Sequence, residues 1–302
     1  MEKRPQRPNQ SFDLTMSDGA IIRVRRHGNP DGVRLFLTHG NGFAIDGYYP
    51  YWKLLIERFD LIVFDMRNHG INPFSGADGH HYAQLSNDIG SIYHGVTNKL
   101  GHKTSVGVFH SFSARAAMKH ATQGEWCWDA MVLYDPPNVP LAGHTHYEPM
   151  CEFERRLVDW SMTRPKHFKN PLELAMNYKK GGKNWVDGAH ELMAHAVLRQ
   201  NPDSEDWVLS CPRELEASIY LAAMTMNLWP RYEEYGGPVK LIGSDPELER
   251  GPATSRANQS LCEEFGYPYE SIPGTGHLLQ IEKPTECVVS MLTFLEEQGI
   301  KI

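Results

Sequence analysis

The segment TSVGVFHSFSARAAMKHAT (residues 104–122) indicates the fold most clearly. Its apolar first part, residues 104–110, predicts a strand, and residues 111–122 predict a helix that begins at once. Ser111 lies where the strand turns into the helix, so its hydroxyl would be exposed above the sheet edge, beside the positive end of the helix dipole. Ser111 is therefore a candidate nucleophile. Serine is also a preferred helix cap, and this segment alone leaves both interpretations open.

The residues on either side of Ser111 match a sharp strand-to-helix turn only in part. Such a turn normally needs small residues two before and two after the serine, because the backbone passes close on both sides. Ser113 fits the later position, whereas Phe109 departs from the G-x-S-x-G pattern at the earlier one. Ser113 is a weaker candidate nucleophile, since Arg115 would then occupy a position that needs a small side chain.

Strand and helix patterns alternate on both sides of this segment. The predicted strands lie in a hairpin at 11–27, within 33–43 (VRLFLTHGNGF) and 59–70 (FDLIVFDMRNHG), and at 104–110, 129–135, 238–243 and 269–273. The predicted helices lie at 48–58, 81–99, 111–122 and 284–298. This alternation predicts an α/β fold with a mostly parallel central sheet flanked by helices.

A long stretch, residues 137–232, interrupts the alternation. It contains no convincing strand and is rich in Trp, Met, His, Arg and Glu, with helical runs such as YEPMCEFERRLVDW. We therefore predict a helical cap at 137–232, inserted between two parts of an α/β core at 1–136 and 233–302.

Composition narrows the classes of protein that the chain can represent. The 302 residues are 41% hydrophobic and 22% charged, with a net charge of −7, which argues against nucleic acid or an anionic membrane as a partner. No apolar run approaches the roughly 18 residues of a membrane span, and the start of the chain does not resemble a secretory signal. The five cysteines are scattered without a CxxC pair, so we expect reduced thiols in a cytoplasmic protein. The sequence does not indicate the oligomeric state.

Three further segments resemble motifs of the α/β-hydrolase family with helical caps. HGNGF (39–43) resembles the oxyanion-hole loop, FDMRNHG (64–70) the D-x-R-x-H-G segment, and GTGHLLQIEKP (274–284) the catalytic-histidine loop. With Ser111, these motifs occur in the order typical of the family. The resemblance implies that His277 is the general base that takes the Ser111 proton.

The resemblance also implies an acidic residue that orients the histidine. Asp245, in KLIGSDPE, follows a predicted strand where the family usually places this acid, and we favour it. Asp135, in LYDPP, follows the preceding strand and is the alternative. Glu247 or Glu249 could serve if the loop is displaced.

The oxyanion hole is expected to consist of backbone N–H groups. Phe112, directly after the nucleophile, and Asn41 are the expected donors, with Gly42 close behind. The family segment at 64–70 supplies Asp65, Arg67 and His69, which we expect to hold loops rather than to take part in the chemistry.

The predicted cap contains many aromatic and methionine residues. Most should pack internally, and some should line an apolar substrate pocket. The candidates are Phe43 from the oxyanion-hole loop and Trp160, Met162, Phe168, Met176 and Trp185 from the cap. His144 with His146, and His80 with His81, lack a third nearby ligand, so we expect no metal site and no cofactor.

The resulting hypothesis is a serine hydrolase that forms an acyl-enzyme from a small or medium carboxylic ester, lactone or thioester. A C–C bond hydrolase would use the same three residues. The alternative from another class is a non-catalytic ligand-binding or receptor protein on the same fold. Phe109 supports this alternative, because a large side chain at this position could distort the turn at Ser111. Epoxide hydrolases and dehalogenases are disfavoured because they carry a carboxylate at the position of Ser111.

Overall fold

The computed structural model describes residues 5–181, 184–249 and 251–302. The strands are β1 (Gln10–Thr15), β2 (Ile21–Gly28), β3 (Arg34–Leu37), β4 (Asp60–Phe64), β5 (Ser105–His110), β6 (Ala130–Tyr134), β7 (His167–Phe168), β8 (Leu198–Gln200), β9 (Trp207–Leu209), β10 (Val239–Gly243) and β11 (Tyr269–Ser271). The helices are α1 (Tyr49–Trp52), α2 (Tyr82–Leu100), α3 (Phe112–Gln123), α4 (Tyr147–Thr163), α5 (Pro171–Lys180), α6 (Ala189–Val197), α7 (Arg213–Met226), α8 (Ala253–Phe265), α9 (Leu279–Glu282) and α10 (Pro284–Glu297). Short 3-10 helices lie at Ile45–Tyr48, Lys53–Leu55 and Tyr232–Glu234.

An eight-stranded sheet, in the order β1-β2-β4-β3-β5-β6-β10-β11, forms the centre of the fold. The predicted hairpin β1–β2 is antiparallel, β2 joins β4 antiparallel, and every later pair in the sheet is parallel. The prediction of an α/β fold with a mostly parallel sheet is confirmed.

Helices cover both faces of this sheet because its central strands are apolar on both faces. Leu35 of β3 packs in the same hydrophobic core as Phe294 of α10. The next residue, Phe36, points to the opposite face and packs in a second core with Ile89 of α2. This side-chain alternation, one residue to each face, gives the fold two apolar layers around one sheet.

The parallel strands bring four loops to one edge of the sheet. β3, β5, β6 and β10 run in the same direction, so the segments that follow their carboxyl ends are neighbours. The HGNGF loop follows β3, Ser111 follows β5, Asp135 follows β6 and Asp245 follows β10. Crevices outside the carboxyl ends of parallel strands are the usual ligand sites of open α/β sheets.

The segment between β6 and β10, residues 137–232, is called the insert below. It contains α4 to α7, and α4 packs against α7. The expectation that it lacks strands is wrong, because β7, β9 and β8 form a three-stranded antiparallel sheet within it. These strands are two or three residues long, too short to produce a recognisable periodic pattern in the sequence.

Phe109, which departs from the expected pattern before Ser111, is accommodated by a neighbouring glycine. A Cβ atom at Gly107 would lie 2.5 Å from Cε2 of the Phe109 ring, so only glycine leaves room for the ring. The ring packs edge-on against Trp128, with 5.5 Å between the ring centroids. Phe109 also keeps its regular register with Leu133 of β6. The strand before Ser111 is therefore undistorted.

Among the described residues, no helix is both long enough and apolar enough to cross a membrane. All five cysteines are free thiols in the structure.

Candidate active site

Ser111 occupies a strained turn between β5 and α3. Its φ is 55° and its ψ is −124°, a region that residues with a side chain rarely adopt. The backbone N–H of Ser111 donates to the Tyr134 carbonyl at 2.9 Å, which ties the turn to β6. Ser113 Oγ donates to the His110 carbonyl at 2.8 Å, so the second serine braces the turn. Ser111 itself makes no side-chain cap bond to the helix, which leaves its hydroxyl free for another partner.

That partner is His277, as the sequence predicts. Its Nε2 lies 2.8 Å from Ser111 Oγ, and its Nδ1 lies 2.6 Å from Asp135 Oδ2. The carboxylate accepts, so Nδ1 carries the proton and the Nε2 lone pair faces the serine hydroxyl. The structure thus brings a hydroxyl, an imidazole and a carboxylate into one hydrogen-bonded line.

Asp135 is completely buried and receives hydrogen bonds from several directions. Thr254 Oγ1 donates to Oδ2 at 2.6 Å, Asn258 Nδ2 donates to Oδ1 at 3.0 Å, and the backbone N–H of Ser244 donates to Oδ1 at 3.2 Å. Burial raises the pKa of Asp135, but the hydrogen bond and charge of His277, together with Thr254 and Ser244, outweigh it and hold the pKa below its ordinary value. The side chain is therefore an ionised carboxylate at neutral pH.

The expectation that Asp245 is the partner of His277 is wrong. Asp245 is partly exposed, and its carboxylate accepts from the backbone N–H groups of Gly274 at 2.6 Å and Glu247 at 2.8 Å. It thus fixes the loop that leads to His277 and does not contact the ring. Asp135 lies closer to Ser111, because β6, which it follows, is adjacent to β5 in the sheet, whereas β10 is one strand farther away.

Two backbone N–H groups near Ser111 have no acceptor among the described residues. Within the described part of the chain, neither Asn41 N–H nor Phe112 N–H donates a hydrogen bond, and both residues line the cavity that contains Ser111. Phe112 N–H is at the first position of α3, where the helix dipole favours negative charge. Both were expected as oxyanion-hole donors.

Gly42 does not have a free N–H group, contrary to expectation. Its N–H donates to His69 Nε2 at 3.2 Å, so it is already satisfied by the protein. Gly42 instead serves the shape of the loop: its φ is +71°, and a Cβ atom would lie 2.2 Å from the Glu216 carboxylate of α7. Asn41 Nδ2 donates to the Glu216 carbonyl at 2.9 Å, so the insert directly supports the loop that carries Asn41 N–H.

The segment at 64–70 holds neighbouring loops, as expected. Asp65 accepts from the backbone N–H groups of Ile45 at 2.8 Å and Ile71 at 3.1 Å. Arg67 forms buried hydrogen bonds with Asp88, the shorter at 2.6 Å. Together with the bond from Gly42 N–H to His69, these contacts fix the HGNGF loop against the end of β4.

His110, which the sequence analysis did not single out, links the three loops of the site. Gly40 N–H donates to Tyr48 Oη at 3.1 Å, Tyr48 Oη lies 2.7 Å from His110 Nδ1, and His110 Nε2 donates to the His277 carbonyl at 2.8 Å. Burial, together with the nearby His277, lowers the pKa of His110 to about 3. Because His110 is neutral and its Nε2 must donate to a carbonyl, Tyr48 donates to Nδ1, and the direction of every bond in this chain is fixed.

A cavity of about 260 Å³ lies over Ser111 and is called the Ser111 cavity. Its walls are Asn41, Phe43, Tyr82, Phe112, Arg115, Pro137, Phe153, Leu157, Trp160, Tyr220, His277 and Leu278. Of the expected pocket residues, Phe43 and Trp160 therefore lie at the cavity. The insert contributes Phe153, Leu157 and Trp160 from α4 and Tyr220 from α7.

The other four expected pocket residues lie elsewhere. Met162 and Met176 are 42% and 50% exposed, on outward-facing positions of α4 and α5. Phe168 and Trp185 are buried in the hydrophobic core, and Trp185 packs behind Phe43 with 6.1 Å between the ring centroids. The aromatic and methionine content of the sequence therefore did not distinguish residues that line the cavity from residues that pack in the core or lie at the surface. Helical spacing would have found Arg115, which follows Ser111 by one turn of α3.

Comparison with known proteins identifies the family. A family model described as the alpha/beta hydrolase family matches residues 35–289, which is most of the chain. The chain belongs to the alpha/beta hydrolase family. No curated protein sequence matches this hydrolase.

Solved structures share the fold of this hydrolase at low sequence identity. E-2-(acetamidomethylene)succinate hydrolase has a TM-score of 0.73 and 17% identity, over 95% of this chain and 100% of that one. The esterase RhEst1 from Rhodococcus sp. ECU1013 has a TM-score of 0.70 and 18% identity, over 96% and 99%. The esterase EaEST from Exiguobacterium antarcticum has a TM-score of 0.68 and 14% identity, over 95% and 100%. At these identities the likeness shows the fold alone.

In the described ranges, no group of three or more His, Cys, Asp or Glu side chains could hold a metal ion. His144 instead lies with its Nε2 2.9 Å from Glu264 Oε1.

The link through His110 predicts that Tyr48→Phe destabilises the hydrolase. The change leaves Gly40 N–H and His110 Nδ1 buried without a partner, so we expect the free energy of unfolding to fall by about 1–3 kcal/mol. Urea unfolding followed by circular dichroism measures this. Tyr232→Phe is the matched control, because the Tyr232 hydroxyl makes no hydrogen bond within the described residues, and we expect a change below about 0.5 kcal/mol. An unchanged stability of Tyr48→Phe would contradict the prediction.

Proposed function

We propose that this hydrolase cleaves a small or medium carboxylic ester through an acyl-enzyme on Ser111. The observation that carries the proposal is the line of hydrogen bonds from Ser111 Oγ to His277 Nε2 (2.8 Å) and from His277 Nδ1 to Asp135 Oδ2 (2.6 Å). A lactone or thioester presents the same electrophilic carbonyl and belongs to the same proposal.

Acylation begins when Ser111 Oγ attacks the ester carbonyl carbon. As the O–C bond forms, His277 Nε2 takes the hydroxyl proton, and the ionised Asp135 stabilises the resulting imidazolium. The carbonyl oxygen becomes an oxyanion, for which Asn41 N–H and Phe112 N–H are the donors. One such donor is typically worth about 10²–10³ in rate. His277 then gives its proton to the leaving alcohol oxygen as the ester C–O bond breaks.

Deacylation repeats these steps with water in place of Ser111. His277 Nε2 takes a proton from the water as it attacks the acyl carbon, and the same two N–H groups receive the second oxyanion. When the bond to Ser111 Oγ breaks, His277 returns the proton to the serine. The acid product leaves and the starting state is restored.

The Ser111 cavity supports a substrate of modest size. Its volume of about 260 Å³ is just below the usual range for small-molecule pockets, and aromatic and aliphatic side chains form most of its wall. Phe153, Leu157 and Trp160 belong to the insert, which supports a role for residues 137–232 as a cap that excludes water from Ser111. Two proteins that share the fold, RhEst1 and EaEST, are esterases, which is consistent with the proposed ester hydrolysis.

The alternative of a non-catalytic binding protein loses its main support. That alternative depended on distortion of the turn by Phe109, and Gly107 provides the space that Phe109 needs. A cytoplasmic location remains a prediction from composition.

Ser111→Ala tests the proposal directly. We expect kcat/KM for p-nitrophenyl acetate to fall by roughly 10⁴–10⁶-fold, because no other hydroxyl is aligned with His277. Ser113→Ala is the matched control. Its hydroxyl braces the turn and does not face His277, so this variant should keep activity within about one order of magnitude of the wild type. Full activity of Ser111→Ala in a stopped-time absorbance assay would refute the proposal.

Asp135→Asn and Asp245→Asn test the choice of acid. Asparagine at 135 cannot hold the required histidine tautomer, so we expect kcat to fall about 10⁴-fold. Asparagine at 245 can still accept from Gly274 N–H, so we expect kcat within about threefold of the wild type. Steady-state kinetics on p-nitrophenyl acetate, with thermal unfolding as a check on folding, compares the two. A larger loss in Asp245→Asn than in Asp135→Asn would overturn the assignment.

A further inference from the structure

A second cavity lies next to the Ser111 cavity and is called the α4–α8 groove. Its volume is about 610 Å³, so it is the larger of the two. The helix α4 contributes Phe153 and Arg156 to its wall, and the segment from the end of β10 into α8 contributes Pro246, Pro252 and Ala253. The proposed mechanism does not use this groove.

Phe153 separates the groove from the Ser111 cavity. Among the described residues, it is the only one that lines both. Helical spacing explains its position, because Leu157 lies four residues further on the cavity side of α4 and Arg156 lies three residues further on the groove side. The Phe153 ring packs edge-on against the His277 ring, with 6.0 Å between the ring centroids. The groove therefore begins beside His277.

The order of the strands places the groove on the His277 side of Ser111. β5, which Ser111 follows, lies between β3 and β6 in the sheet. The loop after β3 carries Asn41, whose N–H is a proposed oxyanion donor. On the other side lie β6, which Asp135 follows, and then β10, whose following segment forms part of the groove wall. The oxyanion donor of Asn41 and the groove are therefore on opposite sides of Ser111.

The proposed mechanism determines which part of the ester points toward the groove. In the tetrahedral intermediate, the oxyanion faces the N–H groups of Asn41 and Phe112. The leaving alcohol oxygen must lie within reach of the proton on His277 Nε2. The alcohol part is therefore on the side of Phe153 and the groove, and the acyl part is left in the Ser111 cavity.

The wall of the groove favours an uncharged alcohol part. Apolar surface comes from four half-buried residues, Phe153, Pro246, Pro252 and Ala253. Among the described residues, two acidic and two basic side chains also line the groove, namely Glu152, Glu249, Arg156 and Arg256. Arg156 is 77% exposed and pairs with Glu152 at 2.9 Å. These charges balance one another, so they do not select an ion, whereas the apolar surface can bind a hydrocarbon chain or ring.

We propose that the α4–α8 groove binds the alcohol part of the substrate, which extends past Phe153 out of the Ser111 cavity. This inference rests on the proposed ester hydrolysis and specifies its substrate class: an ester of an uncharged alcohol with a hydrocarbon chain or ring longer than the Ser111 cavity can hold. The alcohol is still bonded to the acyl carbon during acylation and has left before deacylation. Binding in the groove therefore favours acylation, which kcat/KM reports.

Three esters test the proposal on the wild-type hydrolase, with acid release followed by a pH indicator. Methyl acetate is the reference, and its isomeric extensions are hexyl acetate, with the longer alcohol part, and methyl heptanoate, with the longer acyl part. Each kcat/KM is divided by the rate constant of alkaline hydrolysis of the same ester, which removes differences in intrinsic reactivity. We expect the value for hexyl acetate to exceed that for methyl acetate by at least about tenfold, which corresponds to burial of about two methylene groups.

Arg156→Trp shows where the alcohol part binds. The indole would occupy part of the groove, so we expect the ratio of hexyl acetate to methyl acetate to fall by about tenfold. The ratio of methyl heptanoate to methyl acetate should stay within about twofold of the wild type, because Arg156 does not line the Ser111 cavity. A rise in the hexyl acetate ratio alone would place the indole in contact with the alcohol part and would also support the proposal.

Arg155→Trp is the matched control. Arg155 is the adjacent residue of α4, is also exposed and pairs with the same Glu152, but it lines neither the groove nor the Ser111 cavity. This variant should keep both wild-type ratios. An equal change of the hexyl acetate ratio in both variants would trace the effect to Glu152 and overturn the proposal.

The outcomes also separate this inference from the proposed function. If the wild type hydrolyses methyl acetate but shows no preference for hexyl acetate, or if Arg156→Trp leaves both ratios unchanged, the assignment of the groove is overturned and ester hydrolysis stands. A change confined to the methyl heptanoate ratio would place the acyl part in the groove and overturn the assignment as well. Absence of hydrolysis of all three esters and of p-nitrophenyl acetate would refute the proposed function itself.

Discussion

The hydrogen bond between Asp135 Oδ2 and His277 Nδ1 is the contact on which the rest of the site depends. It is 2.6 Å long and joins two loops that are 142 residues apart in the chain. It determines which nitrogen of His277 carries the proton and therefore directs the other nitrogen at Ser111. The same pairing with His277, helped by donors from Thr254 and Ser244, outweighs the effect of burial and keeps the carboxylate ionised in a fully buried position. The fold has to supply all of these partners, because an unpaired carboxylate at this depth would be protonated or excluded.

The parallel sheet positions the loops of the site, and the insert forms part of the cavity above them. The sheet brings the ends of β3, β5 and β6 to one edge, and the strained turn at Ser111 raises the hydroxyl above that edge. The hydrogen bonds from Gly40 through Tyr48 and His110 to His277 then hold the three loops in fixed positions relative to one another. The insert contributes Phe153, Trp160 and Tyr220, half of the Phe, Tyr and Trp residues in the wall of the Ser111 cavity. Its α4 also carries Glu154, the partner of Arg115, so the insert sets both the size and the polarity of the cavity.

The sequence predicted those parts of the site that lie in one short segment each. Ser111, His277 and the N–H groups of Asn41 and Phe112 are found by a local pattern, because a strand end, a turn and a helix start determine their positions. Asp135 could not be separated from Asp245 in this way, since both follow strands and only the strand order distinguishes them. The occupied N–H of Gly42 and the buried places of Phe168 and Trp185 depend on partners far away in the chain. The strands of the insert are too short to leave a pattern.

Peptide mass mapping after treatment of the wild-type hydrolase with a fluorophosphonate tests most directly whether His277 and Asp135 activate Ser111. Such reagents modify a serine hydroxyl only where a neighbouring base and oxyanion donors activate it. We expect one phosphonate adduct per chain, on the peptide that contains Ser111, formed within minutes near neutral pH. An adduct confined to another residue, or a Ser111 peptide that stays unmodified while a control serine esterase reacts fully, would contradict it.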